Sequence, residues 1–495
     1  TESSSNVQTI GFVTDAYTYN NLGAGAIRSG AGSNLQEEGL ESYLFRVNYE
    51  YNNRYLLTFS ARADGSSVFA KNNKWGTFPS VAVGWRIKEE NFMQNSSFFD
   101  DLKLRASYGS LGNPGVSPGA SLTRLSQGGN NYILGLTQDV ASGIAANSFG
   151  NDNLKWETTK QFNLGVDASF ISNRLQVSVD YFSKLTEDLL VNVPLLWLTG
   201  FQSTLSNFGE VSNKGLEFAV TSINMDKNGF RWESNFNLSA YQNKVEKLQT
   251  EGGQLFINPI GRGVSINSAV LQEGQPLSTY FGMISEGIWN SQEEIDASGL
   301  SGYSVFPGGR RYADLDGDNI IDATADRQII GDPNPDFFGG IGNTLSYKGF
   351  ELYFYFNFMY GNDIFNETDS RLAVAFDNNT FKRFVNRWTP ENMDTDIPSA
   401  AGVERPLTSS NTSVIEDGSF LRLRNLNIAY NIPVDNIKWL SNLKIYAAGT
   451  NLLLFDRYNG YDPEINRGFS NTRRGYDLAQ DPSVKSYTLG LRVDF

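Results

Sequence analysis

The sequence of 495 residues contains no cysteine and no histidine. Without cysteine there is no disulfide and no thiolate metal site. Without histidine the chain lacks the usual general base and the commonest transition-metal ligand. A Ser-His-Asp hydrolase or a histidine-ligated metalloenzyme is therefore excluded within this chain. Long apolar runs are missing as well. No stretch approaches the roughly 18 consecutive apolar residues that mark a transmembrane helix. Basic charge is in deficit, with 40 Lys and Arg against 54 Asp and Glu and a formal charge of -14. That balance argues against nucleic acid as a partner. Thr1 brings no initiating Met, no charged n-region and no apolar h-region. The chain reads as a fragment or processed product, and the missing signal peptide is silent on compartment.

What the sequence does contain is alternation. From Ser486 to the end, Tyr487, Leu489, Leu491, Val493 and Phe495 fall on one face. Ser486, Thr488, Gly490, Arg492 and Asp494 fall on the other. Period two is the signature of a half-buried strand. Stopping on an aromatic residue suits the closing strand of an outer-membrane β-barrel, although a soluble amphipathic strand shares the pattern. The same alternation recurs upstream. Tyr43, Phe45, Val47 and Tyr49 oppose Arg46, Asn48 and Glu50, and Leu102, Leu104 and Ala106 oppose Lys103 and Arg105. Phe162, Leu164, Val166, Ala168 and Phe170 oppose Gln161, Asn163, Asp167 and Ser169. Phe350, Leu352, Phe354, Phe356 and Phe358 form the most apolar face. About fifteen candidate strands result, many near the ~10 residues that cross a bilayer when tilted.

The connections discriminate better than the strands. Tight-hairpin chemistry stands at Asn52-Asn53, Ser172-Asn173, Asp226–Gly229 and Lys348-Gly349. Long polar segments cover residues 111–156, 187–209, 290–335, 362–418 and 454–483. Short and long connections alternate, as in barrels with periplasmic turns and long extracellular loops. With the short turns in the periplasm and a short strand added near Ser265–Leu271, every strand alternates direction without conflict. The last strand then runs inward and leaves Phe495 in the periplasm. Residues 1–40 become extracellular loop, and 41–495 become barrel. One strand resists orientation: over 419–431, Arg422 and Arg424 share a face with Phe420 and Leu426, while Leu421 and Leu423 share the other.

Several stretches carry a family resemblance. Residues 54–68 read RYLLTFSARADGSSV, 74–87 KWGTFPSVAVGWRI, 101–112 DLKLRASYGSLG and 213–218 NKGLEF. Residues 314–336 read DLDGDNIIDATADRQIIGDPNPD, and RWTPEN at 387–392 precedes DIP at 396–398. Residues 417–433 read DGSFLRLRNLNIAYNIP, and 460–465 GYDPEI. In order and spacing the chain resembles the C-terminal half of SusC/RagA-type TonB-dependent transporters of Bacteroidota outer membranes. The resemblance implies an all-β fold, a transmembrane antiparallel β-barrel of about 22 strands enclosing a plug. It implies long extracellular loops, and it places the plug outside this chain. It implies import of oligosaccharides or oligopeptides, energised by TonB with ExbB and ExbD through the plug. It also implies a SusD-like surface lipoprotein as lid, outer-membrane lipid around the barrel, and assembly as a dimer of SusCD pairs. No catalytic residue and no catalytic cofactor is expected. A passive porin or a structural or assembly barrel is the alternative, and a soluble all-β surface protein or enzyme a third reading.

The acidic run is the one candidate site. Asp314, Asp316, Asp318 and Asp322 are spaced around Gly317 in a short loop of the kind that gives oxygen ligands to a structural Ca²⁺. The run departs from an EF-hand: Ala325 stands where the bidentate Glu would be and Asn319 replaces the turn glycine, while Asp326 could substitute. A solvated Asp/Gly turn is the plainer reading. Glu293-Glu294 suits a solvated loop helix better than the two flanking acids of a glycosidase. Tyr132, Trp156, Trp197, Phe201, Tyr303, Phe306, Tyr458 and Tyr461 could stack on substrate, form interfacial girdles or pack the loops together. Arg387-Trp388-Thr389-Pro390 is expected to close a loop helix begun near Phe381, since proline disfavours helix at the residue before it.

Overall fold

The computed structural model describes residues 2–12, 26–127, 132–134, 139–141, 143–257, 268–372, 380–400, 410–434, 437, 439–465 and 474–495. Thirteen long strands form one antiparallel sheet, each beside its neighbour in sequence. They are β1 (Leu40–Tyr51), β2 (Tyr55–Ser66), β3 (Trp75–Arg86), β4 (Asp101–Asn113), β5 (Glu157–Phe170), β6 (Leu175–Glu187) and β7 (Gly209–Lys227). After these come β8 (Phe230–Leu248), β9 (Phe337–Tyr347), β10 (Phe350–Tyr360), β11 (Phe420–Ile432), β12 (Asn442–Asp456) and β13 (Ser486–Asp494).

Burial is inverted relative to a soluble sheet. In β2, Leu57 and Phe59 are exposed while Asp64 and Ser66 are buried. In β5, Phe162, Leu164 and Val166 are exposed while Ser169 is buried. The register keeps like with like. On one face, Phe350, Leu352, Phe354, Phe356 and Phe358 of β10 lie beside Tyr430, Ile428, Leu426, Leu423 and Leu421 of β11. Tyr353, Tyr355 and Asn357 lie beside Asn427, Asn425 and Arg422 on the other. An apolar outer face is favourable against hydrocarbon, where Arg or Lys at the midplane costs roughly 2–4 kcal/mol. At about 3.4 Å per residue and the usual tilt, a strand like β10 spans about 25 Å, the height of such a band. Among the described residues no helix is long and apolar enough to cross a membrane, which says nothing of strands.

The strand that resists orientation from sequence is resolved by a β-bulge. Leu423 pairs Phe356 while Asn425 pairs Tyr355, which leaves Arg424 as an extra residue. Toward β12 the pairing jumps from Leu423↔Leu453 to Asn425↔Thr450, and Asn451 takes φ 54°. An extra residue resets the alternation. Leu421, Leu423, Leu426 and Ile428 therefore share the apolar face, and Arg422 and Asn425 share the polar one.

At one end of the sheet the connections are short, apart from 87–100 and 433–441. Asn228-Gly229 and Lys348-Gly349 are two-residue turns with both φ values positive, the backbone that matches strand twist in tight hairpins. At the other end run the long connections 114–156, 188–208, 249–336, 361–419 and 457–485. The count of about fifteen strands is corrected to thirteen in the large sheet. The strand expected near Ser265–Leu271 appears as Ala269–Gln272, paired with Gln254–Ile257 and Thr279–Gly282 in a four-stranded sheet inside a long connection. Its four residues cannot span a bilayer, and Ala269, Val270 and Leu271 are all buried. Direction still alternates through all thirteen strands without it. Residues Glu2–Ile10 and Ile27–Gln36 pair as a separate antiparallel ribbon. Among the described residues β1 and β13 are the edges of the large sheet, and all twelve residues of β1 are exposed.

Candidate functional site: the polar face and its loops

The polar face is built by alternation, with every second side chain of each strand delivered to one side. On β4–β6 it is charged and cross-linked. Arg105 Nε donates to Asp167 Oδ2 (2.7 Å), and its NH2 donates to Asp167 Oδ1 (2.9 Å) and Asp180 Oδ2 (3.0 Å). Ser178 Oγ donates to Asp167 Oδ1 (2.9 Å). Beside this network a cavity of about 400 Å³ is lined by Asp101, Asp167, Ser169, Gln176, Ser178 and Thr221, among others. On β8–β11 the same face is mostly neutral: Asn235, Asn237, Thr344, Tyr353, Tyr355, Asn357, Asn425 and Asn427. Glycines let rings lie along this wall. A Cβ on Gly340 would collide with the Tyr355 ring, and one on Gly490 with Tyr446.

The long connections pack on one another and make the buried cores of the molecule. Trp156 sits against Phe69 and Phe78 (ring centroids 5.3 and 5.6 Å) and donates its Nε1–H to Lys74 O (3.0 Å). Tyr280, Phe365 and Tyr476, drawn from three connections, stack within 5.7 Å. Tyr476 Oη donates to Ser268 O (2.9 Å).

A buried ion pair ties the last long connection to the wall. Arg422 and Asp462 are 1% and 3% exposed and bonded to each other. Ser483 Oγ also donates to Asp462, and Arg424 pairs Glu464 at 2.8 Å. Burial pushes the Asp462 carboxyl up, but Arg422, Ser483 and the Glu464 N–H outweigh it and hold it below the ordinary carboxylate range. Tyr458 is buried and donates to Asp477 Oδ2 (2.5 Å); burial first, then this carboxylate, pushes its hydroxyl pKa up. Sequence reading did not find the Arg422–Asp462 pair. Its signal was that plain alternation puts Arg422 and Arg424 on one face with Phe420 and Leu426.

The acidic loop divides its carboxylates. Asp314, Asp316 and Asp326 come together, each with an oxygen within 4.8 Å of the others. Asp326 is fully buried and accepts from Leu315 N (2.7 Å) and Asp322 N (2.8 Å). Asp314 accepts from Gly317 N (2.7 Å) and Asn319 N (2.9 Å), where Gly317 and Asn319 both have positive φ. Asp318 and Asp322 instead cap backbone N–H groups, at Ile320 and at Thr324 and Ala325. The Asp318 N–H lowers the Asp316 pKa, yet desolvation and the charges of Asp318, Asp326 and Asp314 leave it raised. Three carboxylates around one point suit a hard cation.

The other sequence candidates are placed as follows. Glu293 and Glu294 lie in the first turn of helix α1 (Gln292–Ser298), where Ser291 Oγ caps Glu294 N (3.2 Å) and Glu294 accepts from Asn290 N (2.9 Å) and Arg311 (3.0 Å). That is a variant of the capping box in which Glu294 reaches the N–H one residue before the cap. Residues Lys382–Asn386 form a 3₁₀ turn after Phe381, and Trp388 is buried with Nε1 bonded to Asn290 Oδ1 (3.0 Å). Phe201 packs on Phe149 (5.6 Å), joining two connections. Tyr303 and Phe306 are half-buried, and Tyr461 is exposed. The side chains of Tyr132 and Trp197 lie outside the described residues.

A family profile described as TonB dependent receptor-like, beta-barrel matches residues 3–323. The chain is 40% identical over 492 residues to TonB-dependent receptor P3 of Formosa agariphila, covering 98% of this chain and 48% of that protein. It is 28% identical over 470 residues to TonB-dependent receptor SusC of Bacteroides thetaiotaomicron, covering 92% of this chain and 44% of the other. The solved RagAB peptide transporter superposes with a TM-score of 0.81 at 24% identity, over 98% of this chain and 50% of the other. The last match shows likeness of fold. This chain spans about half the length of the curated relatives it matches.

Proposed function

Because this chain belongs to the TonB-dependent receptor-like β-barrel family, we propose that it forms the C-terminal barrel wall of an outer-membrane importer of the SusC/RagA kind. The observation that carries the reading is the sheet itself: thirteen strands, apolar side chains outward, and the long connections gathered at one end. The polar face lines the lumen. The long connections are extracellular and include residues 1–40; the short turns and Phe495 are periplasmic. A barrel of about 22 strands needs about nine more, and an odd remainder fits a first strand running outward.

The cargo is an oligosaccharide or oligopeptide. It is captured between the outer loops and a SusD-like lipoprotein, then admitted when TonB, driven by ExbB and ExbD, displaces a plug. The likeness to the RagAB peptide transporter supports the peptide member of this class. The test is mass spectrometry of what co-purifies with this chain from detergent-solubilised outer membranes. A plug-bearing polypeptide and a surface lipoprotein are expected. Recovery of the barrel wall with neither would overturn the energised reading in favour of a passive or assembly barrel.

We also propose that the acidic loop holds a structural Ca²⁺ through Asp314, Asp316 and Asp326, bracing residues 314–326. The proximity of the three carboxylates and the raised Asp316 pKa support it, since a divalent cation would relieve their repulsion. Isothermal titration should show Ca²⁺ binding to the intact protein that Asp316→Asn abolishes. No binding heat in the unaltered protein would remove the site.

A further inference from the structure

The connection between β3 and β4, residues 87–100, is far longer than the hairpins beside it. It does not hang free below the sheet but is fastened along the apolar rim. Tyr55 and Trp85 pair across β2 and β3 on the apolar face, and both donate to Glu90 Oε1 (2.5 and 3.0 Å). Arg54 pairs the other carboxylate oxygen of Glu90 (3.3 Å). Lys88 Nζ closes the segment on itself by donating to Ser96 O (2.6 Å). At its far end Phe98 and Phe99 stack on Phe170 (5.3 and 5.1 Å), the last apolar-face residue of β5. Asp100 N donates to Ser169 O (2.8 Å). So held, the segment leaves Phe92 and Phe98 69% and 67% exposed. The connection after β11 repeats the device: Trp439 stacks on Phe495 (5.8 Å), again an apolar-face strand end.

We propose that residues 87–100, seconded by Trp439, form a collar that inserts its aromatic side chains at the headgroup–acyl boundary of the phospholipid leaflet at the short-turn end. The inference rests on the barrel reading above. Lipid is the occupant because the collar continues the apolar belt: its anchors Tyr55, Trp85 and Phe170 are themselves belt residues. Aromatic rings with one wet and one apolar side settle at that depth. Glu90 is paired by Arg54 and hydrogen-bonded by Tyr55 and Trp85 before it meets lipid. The fastening at both ends means the rings are presented with little ordering left to do on insertion.

The test uses the full-length transporter in phosphatidylethanolamine–phosphatidylglycerol vesicles. Tryptophan is introduced as Phe92→Trp or Phe98→Trp, and the emission of the unaltered protein is subtracted. Brominated lipids quench near the glycerol backbone or near the chain ends, and acrylamide quenches from water. The collar predicts blue-shifted emission, quenched most by bromine near the glycerol backbone and weakly by acrylamide. Emission quenched by acrylamide and by neither lipid overturns it. So does shielding from all three quenchers, which would mark a protein partner. Phe356→Trp, at mid-strand on β10, separates the two readings. Its quenching by bromine near the chain ends shows the barrel in the bilayer whether or not the collar is there. If Phe356→Trp is not so quenched, it is the barrel reading that fails.

Discussion

Among single residues Arg422 carries the largest consequence. It is a buried cation whose partner Asp462 is buried with it. Removing one member of such a pair leaves an uncompensated charge, at a cost of about 3–5 kcal/mol. Arg422→Met should therefore free the connection 457–485, seen as rapid protease cleavage there while the barrel stays intact. Arg422→Met combined with Asp462→Leu should restore protection, because an apolar pair of similar volume is often neutral or stabilising. The same pair sets a pH dependence. The Asp462 pKa is lowered in the folded protein. Its stabilisation is thus fully present above the ordinary carboxylate value of about 4 and is lost as pH falls below that through the folded pKa. Protection of 457–485 should hold from neutral pH to about 4 and fail below it, without that step in the doubly substituted protein.

For the strands, legibility follows from how local the cause is. β5 from Phe162 onward and β10 throughout are readable because the alternation needs only their own residues, and β1 is readable from Tyr43 to Tyr49 although Leu40 and Leu44 fall on the polar face. β11 is not, because its bulge belongs to three strands at once: the register with β10 shifts at Arg424, and β12 answers with the left-handed Asn451. The four-residue strands inside 249–336 were legible as alternation but not as loop structure, since their burial comes from contacts with distant connections such as Tyr280 on Phe365 and Tyr476. In the acidic loop the spacing located the Asp run, and the fold brings Asp314, Asp316 and Asp326 together while Asp318 and Asp322 stand apart, a grouping that depends on how the loop turns and not on spacing. The bulge gives a sharp prediction. Deleting Arg424 joins Leu423 to Asn425, so plain alternation keeps Leu421, Leu423 and Leu426 outward and Arg422 and Asn425 inward. Deleting Leu423 instead puts Arg424 in the outward place, where an arginine costs roughly 2–4 kcal/mol at mid-depth and less near the interface. The heat-modifiable band on a gel run without boiling should survive the first deletion and be lost in the second.

Among the described residues the large sheet is open, with one fully exposed edge strand, β1, and a second edge at β13. In hydrocarbon an unpaired backbone N–H or C=O costs several kcal/mol, so only closed barrels persist there. The chain produced alone should therefore aggregate or stay unfolded in outer-membrane lipid vesicles. Co-production with a segment that supplies the missing strands of the barrel proposed above should yield a protease-resistant, heat-modifiable species. Recovery of a stable inserted form of this chain by itself would contradict the requirement for closure.

In the barrel proposed above, the Tyr355 and Tyr446 rings beside Gly340 and Gly490 bear on how much current the pore passes. A methyl group at either glycine has no room unless Tyr355 or Tyr446 swings off the wall into the aqueous path. In a plug-deleted barrel held across a planar bilayer, Gly340→Ala should lower single-channel conductance and Tyr355→Ala should raise it. Two residues with no side chain would then set the electrical bore of the protein.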